Sequence, residues 1–185
     1  MQERASHHAP PPTGLIRQLR PSDLPRFREH LLRLDAASRR DRFNGAINDN
    51  FLVAYAKRSF SEGATVIGYV EDDKVLGAAE LHERTEFAEL TGEIAFSVES
   101  HLQHRGIGGR LFERLISNAR GQGYAKLLVT THPQNEAMKA LARKFDAALS
   151  FDAGETVGVI TLEPPQPLFA PTPRLAGLTR MPSRL

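Results

Sequence analysis

The chain has no cysteine among its 185 residues, which excludes disulfides, thiolate metal sites and any covalent intermediate carried on an enzyme cysteine. It also lacks the uninterrupted apolar run of roughly 18 residues that a membrane-spanning helix needs. No apolar segment of the secretory type opens it. Residues 1–12 are polar and proline-rich, so no leader, no membrane association and a cytoplasmic location are expected. A charge excess of one sign is missing as well: 24 Lys and Arg against 22 Asp and Glu leave a formal net charge of +2, too little to argue for a nucleic-acid partner. Basic clusters at residues 17–28 and 39–42 read first as solvated helix faces, and second as an attraction for acidic or phosphorylated ligands. His82, His101, His104 and His132 show no metal-ligand spacing, so no metal is expected.

What is present is periodic. Residues 1–13 and 164–185 are proline-rich without apolar periodicity and are expected as disordered tails, leaving one domain over residues 14–163. Residues 15–19 alternate as a first strand. Pro21, Ser22 and Asp23 suit a helix entry, followed by Leu24, Phe27, Leu31, Leu32 and Leu34 at helical spacing. Residues 35–50 read as an arginine-rich connection, and residues 51–60 as a second helix. Residues 65–70 and 75–82 flank Glu71-Asp72-Asp73-Lys74 as a hairpin, and residues 90–98 form another strand. Ile107, Leu111, Phe112, Leu115, Ile116 and Ala119 then share one helix face, stopped by Gly121 and Gly123. A strand over 127–131, a helix opened by Asn135, and strands over 147–151 and 156–162 complete the chain.

Between the strand ending at Val98 and the helix near Ile107 lies Gln103-His104-Arg105-Gly106-Ile107-Gly108-Gly109. The first N–H groups of a helix have no partner inside it, and the macrodipole adds about half a positive charge there. Glycines remove the side chains that would block a close approach, so a phosphate or pyrophosphate is the natural ligand. No Gly-x-x-x-x-Gly-Lys-Ser/Thr run occurs. A dinucleotide fingerprint fails too, because its third glycine would fall at Leu111 and its acidic residue near Val129.

Gln103-His104-Arg105-Gly106-Ile107-Gly108 satisfies Gln/Arg-x-x-Gly-x-Gly/Ala. The chain thereby resembles the GNAT (GCN-related N-acetyltransferase) superfamily over about residues 14–163, and its order of elements follows that family. The resemblance implies an α/β fold, a central twisted and mostly antiparallel sheet splayed at strands 4 and 5 and flanked by helices. It implies acetyl-CoA as cosubstrate. Gln103, His104, Arg105, Gly106, Ile107, Gly108, Gly109 and Arg110 would surround its pyrophosphate, Phe96, Ser97 and Val98 would meet its pantetheine arm and thioester, and Asn135 would contact it from the next helix. Glu-Ile-Ala-Phe at residues 93–96 and Ser38-x-x-x-Arg42-Phe43 are closest to the bacterial protein lysine acetyltransferases.

Glu93 occupies the position of those enzymes' general base. The task suits a carboxylate: a lysine amine is protonated at neutral pH, with a reference pKa of about 10.4, and only the neutral form attacks a thioester. A glutamate partly desolvated by Ile94, Phe96 and the acyl chain would have a raised pKa and draw the proton off better. Glu80 and Glu83 are the other acids on offer. Where many relatives carry a tyrosine that protonates the departing sulfur, this chain has Ala142, so the acid is water, another residue such as Ser97, or nothing. The expected function is direct acetyl transfer in a ternary complex to a primary amine, on a protein lysine or a small molecule, by a monomer or homodimer. A non-catalytic acyl-CoA-binding regulatory module is the alternative.

Overall fold

The computed structural model describes residues 12–61 and 63–163. Apart from Pro12 and Thr13, the two expected tails lie outside the described residues. The elements are β1 (Leu15–Gln18), α1 (Leu24–Arg33), α2 (Ala36–Phe43), α3 (Asp49–Arg58), β2 (Ala64–Glu71), β3 (Lys74–Glu83), β4 (Thr91–Val98), α4 (Ile107–Gly121), β5 (Lys126–Thr131), α5 (Glu136–Lys144), β6 (Ala148–Asp152) and β7 (Glu155–Thr161). Single 3-10 turns at Pro21–Asp23 and Ser100–Leu102 precede α1 and follow β4.

The polar stretch after α1 was expected to be a connection, and α2 is the correction. Its start is explained by Asp35, whose side chain accepts from the Ser38 N–H as an N-cap. No residue of α2 is buried, so its sequence carries no apolar stripe to announce it. Asn48 caps α3 in the same way on Phe51.

The seven strands form one sheet in the order β1-β2-β3-β4-β5-β7-β6, antiparallel everywhere except between β4 and β5. The β2/β3 hairpin turns through Asp72 and Asp73, both at positive φ, and the β6/β7 hairpin through Ala153 and Gly154, also positive, the mirror-image turn that suits strand twist. On one face, α1 and α3 bury Phe27, Leu31, Leu52 and Ala56 against Val66, Val75 and Ala78. On the other, α4 lays Ile107, Leu111, Phe112 and Leu115 on Ile67, Ala79, Leu81 and Ile94.

Several arginines of the basic clusters seen in the sequence are paired within the fold. Arg17 makes two hydrogen bonds to Asp23, Arg26 pairs with Asp73, and Arg39 holds Asp49 and the carbonyls of Leu32 and Leu34.

β4 and β5 pair only at Thr91↔Lys126, Gly92↔Leu127 and Glu93↔Leu128. Beyond that rung they part, while β4 stays paired to β3 as far as Val98 and β5 to β7 as far as Thr131. Gly92, on the last rungs before the fork, permits close packing: a Cβ there would stand 2.3 Å from Leu81 Cδ1 and 3.0 Å from Tyr124 Cε1. Leu81 is only 1% exposed, so it has no room to give way. Gly92→Val should therefore cost about 1–3 kcal/mol through overpacking, measured by urea unfolding; unchanged stability would mean that this junction is loosely packed.

Candidate active site

The fork opens a cleft of about 690 Å³, within the range of small-molecule sites. One wall is the unpaired edge of β4, residues 94–98. The opposite wall is Val129, Thr130 and Thr131 of β5 with Met138 and Leu141 of α5, and Gln103, His104 and the glycines of the loop close one end. A stack of rings lies behind the fork. Phe96 of β4 stacks on Phe112 of α4 with centroids 4.6 Å apart, and Phe112 on Phe145 at 4.3 Å, joining α4 to both sides of the split.

The loop takes the shape that its glycines imply. Gly106 caps α4 at φ +79, and a Cβ there would meet nothing within 4 Å. Arg110 makes the first helical hydrogen bond, back to the Gly106 carbonyl at 3.1 Å. The N–H groups of Ile107, Gly108 and Gly109 thus form the first turn, with no preceding turn to accept from them. Lys144 reaches the same place from α5: its Nζ would lie 3.5 Å from a Cβ at Gly109. The ammonium adds to the positive end of the helix. Nothing local in the sequence marked Lys144, which arrives there only through the packing of α5.

The other expected residues are distributed as follows. Phe96, Ser97, Val98, Gln103, His104, Gly106, Gly108, Gly109 and Asn135 all line the cleft. Gln103 ties loop to strand, its Nε2 donating to the Val98 carbonyl at 2.9 Å. Asn135 does two things: Oδ1 caps α5 on Met138 N–H, and Nδ2 reaches the Asp41 carbonyl at 3.4 Å. Ile107 is buried in the core and offers only its amide. Arg105 and Arg110 do not line the cleft. The Arg110 guanidinium lies toward the Gly14 carbonyl and over the Tyr69 ring, and the Arg105 charge acts on Glu71.

Glu93 stands at the fork itself, on the face of the sheet that α1–α3 cover. Ile94 and Phe96 do not surround it. They alternate to the other face and pack toward α4, so the apolar setting expected for this carboxylate is absent. Its side chain is instead 36% exposed and paired with Arg84 at 2.5 Å. Ala95 and Ser97 follow on the same face. Opposite these three on β3 stand His82, Glu80 and Ala78.

Glu80 is fully buried and bonded to Arg42 at 2.7 Å, to the Tyr55 hydroxyl at 2.9 Å and to Ser59 at 3.0 Å. Burial opposes its charge, but the Arg42 guanidinium and the His82 hydrogen bond outweigh that and hold the carboxyl well below the usual range. Such a group is a poor proton acceptor, which removes Glu80 from the list of bases. Arg42 borders the cleft together with Ser38 and Asp41, so the Ser38-to-Phe43 segment does flank the site. Removing one partner of a buried pair strands the other charge. Arg42→Ala should cost about 3–5 kcal/mol, whereas Arg42→Met with Glu80→Leu should recover most of it. The Glu80 carboxyl is depressed in the fold, so its stabilisation is present above the unfolded value of about 4.3 and falls away as pH drops through the lower folded value. Urea melts from neutral to acid pH read both effects; an Arg42→Ala protein as stable as the parent would refute the pairing.

Ala142 is 1% exposed and presents no hydroxyl to the cleft. Two residues unmarked in the sequence stand behind Ser97: His30 lies against its hydroxyl, and Glu99 lies against His30. Among the described residues no cluster of His, Cys, Asp and Glu has the geometry to hold a metal, and no helix is long and apolar enough to cross a membrane.

The profile of the acetyltransferase (GNAT) family matches residues 25–147, and the chain belongs to that family. Solved structures share its fold. The GNAT domain of S. lividans PAT superposes with a TM-score of 0.69 at 17% identity, covering 80% of this chain and 89% of that one. YncA of Salmonella typhimurium, a structure that contains its cofactor acetyl-CoA, gives 0.61 at 20% identity over 87% and 99%. An N-acetyltransferase from Staphylococcus aureus Mu50 gives 0.61 at 20% identity over 82% and 99%.

Proposed function

We propose that this chain transfers the acetyl group of acetyl-CoA to a primary amine, on a protein lysine or a small molecule, by direct attack in a ternary complex. The observation that carries the reading is the fork: an unpaired edge of β4 leads straight onto a glycine-opened helix start. Unpaired strand N–H and C=O groups want a partner, and an arm carrying two amides, such as pantetheine, is a partner of strand type. Its pyrophosphate meets the first-turn amides of α4, with the Lys144 ammonium beside them. Met138, Leu141 and Phe96 give the arm an apolar wall. The Glu99 N–H bonds back to Leu76 of β3, so strand alternation turns the backbone groups of Phe96 and Val98 toward the fork, and a backbone N–H there would polarise the thioester carbonyl.

The amine enters over α2, past Ser38, Asp41 and Arg42, and reaches the sheet face that carries Glu93. Four residue steps along the strand carry Glu93 to Ser97, about 13 Å, so Glu93 takes the ammonium proton through water rather than by contact. Without Glu93 in that role, and with no hydroxyl at Ala142, the fold would serve as a non-catalytic acyl-CoA-binding module. Amine-dependent release of CoA, screened over lysine peptides and small amines, decides between the two, and turnover with any of them is the expected result.

A Cβ at Gly108 would touch only Leu141, at an ordinary 3.5 Å, so the fold tolerates a side chain there while the phosphate site does not. Gly108→Val should weaken acetyl-CoA binding about tenfold or more, a loss of about 1.4 kcal/mol. Calorimetry showing undiminished affinity in the folded variant would contradict the assignment. Glu93→Gln should leave affinity intact and lower kcat by about 10²–10⁴-fold. The deficit should shrink as pH rises, because more amine is then already neutral. Parent-like turnover at all pH values would leave Glu93 as a surface carboxylate held by Arg84.

A further inference from the structure

Ser97 borders the cleft on the acceptor side of β4, and its hydroxyl oxygen lies 2.9 Å from Nε2 of His30. The other ring nitrogen, Nδ1, lies 3.2 Å from the Glu99 carboxylate. Arg33 fixes that carboxylate from a second side through Nε at 3.0 Å. His30 has no exposed surface, whereas Ser97 is 7% exposed. Among the described residues, the imidazole therefore meets the cleft through the Ser97 hydroxyl alone.

Hydroxyl, imidazole and carboxylate in this order activate the nucleophile of many hydrolases, but burial argues against a hydrolytic cycle. An ester on Ser97 would close the imidazole's route to the cleft, so His30 could neither activate a deacylating water nor protonate a leaving group. A relay makes no such demand, because a proton crosses the hydroxyl and leaves it unchanged.

We propose that Ser97 is a catalytic residue of acetyl transfer, a hydroxyl relay backed by His30 and Glu99 that carries the second proton of the attacking amine to the departing CoA sulfur. The inference rests on the acetyl-transfer reading above. The ammonium loses its first proton to Glu93 and solvent. The C–N bond then forms, leaving a positively charged nitrogen, and the C–S bond breaks, its electron pair going to sulfur. The nitrogen passes its proton to Ser97 Oγ as the serine's own proton moves to His30 Nε2. The reverse movement delivers a proton to the thiolate, so CoA leaves as the thiol and the enzyme ends as it began. The relay needs a neutral imidazole with Nδ1–H donating to Glu99. Burial lowers the His30 pKa against the opposing pull of Glu99; burial opposes the Glu99 charge, but hydrogen bonds from His30 and Arg33 outweigh it and keep that carboxyl below its usual range.

Two measurements on the full chain test this. Ser97→Ala should lower kcat by about 10²-fold, the lower end of general acid–base effects. It should leave KM for acetyl-CoA unchanged and diminish the solvent isotope effect, while Ser97→Thr, which keeps the hydroxyl, should restore most of the rate. In the complex with CoA itself, the thiol titration followed by thiolate ultraviolet absorbance should move to higher pH in Ser97→Ala, because a donor to the thiolate has been removed. This readout needs no acceptor amine. Undiminished turnover in Ser97→Ala, or the same thiol titration in both proteins, would overturn the relay while leaving the acetyl-transfer reading intact. An acetyl ester found on the Ser97 peptide after incubation with acetyl-CoA would overturn it in favour of a nucleophilic serine. Failure of the parent chain to bind CoA would remove the reading beneath it as well.

Discussion

Three rungs of pairing between β4 and β5, and then none, is the constraint on which the rest of the molecule turns. Parting two central strands forfeits backbone hydrogen bonds in the middle of a sheet, a cost that a fold bears only where another partner completes the ladder. The surroundings keep the split in place. Gly92 lets Leu81 and Tyr124 close tightly on the last rungs, and the Phe96–Phe112–Phe145 stack ties both sides to α4 beyond them. The same divergence aims the edge of β4 at the first turn of α4. The proposed recognition of an amide arm by a strand edge and of an anion by a helix start would both follow from this one divergence.

The second organising feature is where charge is buried. On the sheet face that α1–α3 cover, two carboxylates are held away from solvent by arginines of the helical layer, Glu80 by Arg42 and Glu99 by Arg33. The first pair anchors α2 beside the cleft. The second sets His30 against Ser97. Both carboxyls sit below their usual range because their partners overcome the penalty of burial, Arg42 and His82 for Glu80, His30 and Arg33 for Glu99. Glu93 differs, being partly exposed and paired with Arg84. It keeps contact with water, as the proposed removal of a proton from an incoming ammonium would require.

Much of this was legible in the order of residues. Apolar spacing from Ile107 to Ala119 marked α4, and the glycine pattern before it marked where that helix opens, because both signals are local. The capped helix α2 was not legible as a helix, since it buries no side chain and shows no stripe. The relay group was hidden for a different reason. His30 and Glu99 are 69 residues apart, and neither carries a motif of its own. Lys144 likewise reaches the loop only through the docking of α5. The environment of Glu93 was misjudged by counting neighbours in sequence, when strand alternation sends Ile94 and Phe96 to the opposite face.

The most direct test of the account is a titration of the labelled protein with CoA, followed by backbone amide NMR. The expected result is that the largest shifts cluster at residues 94–98 of β4 and residues 106–109 at the start of α4, two segments joined in space only by the fork. Shifts centred instead on the hollow between α4 and β7, where Glu113, Arg120 and Phe145 meet, or no change along β4 at saturating CoA, would contradict it.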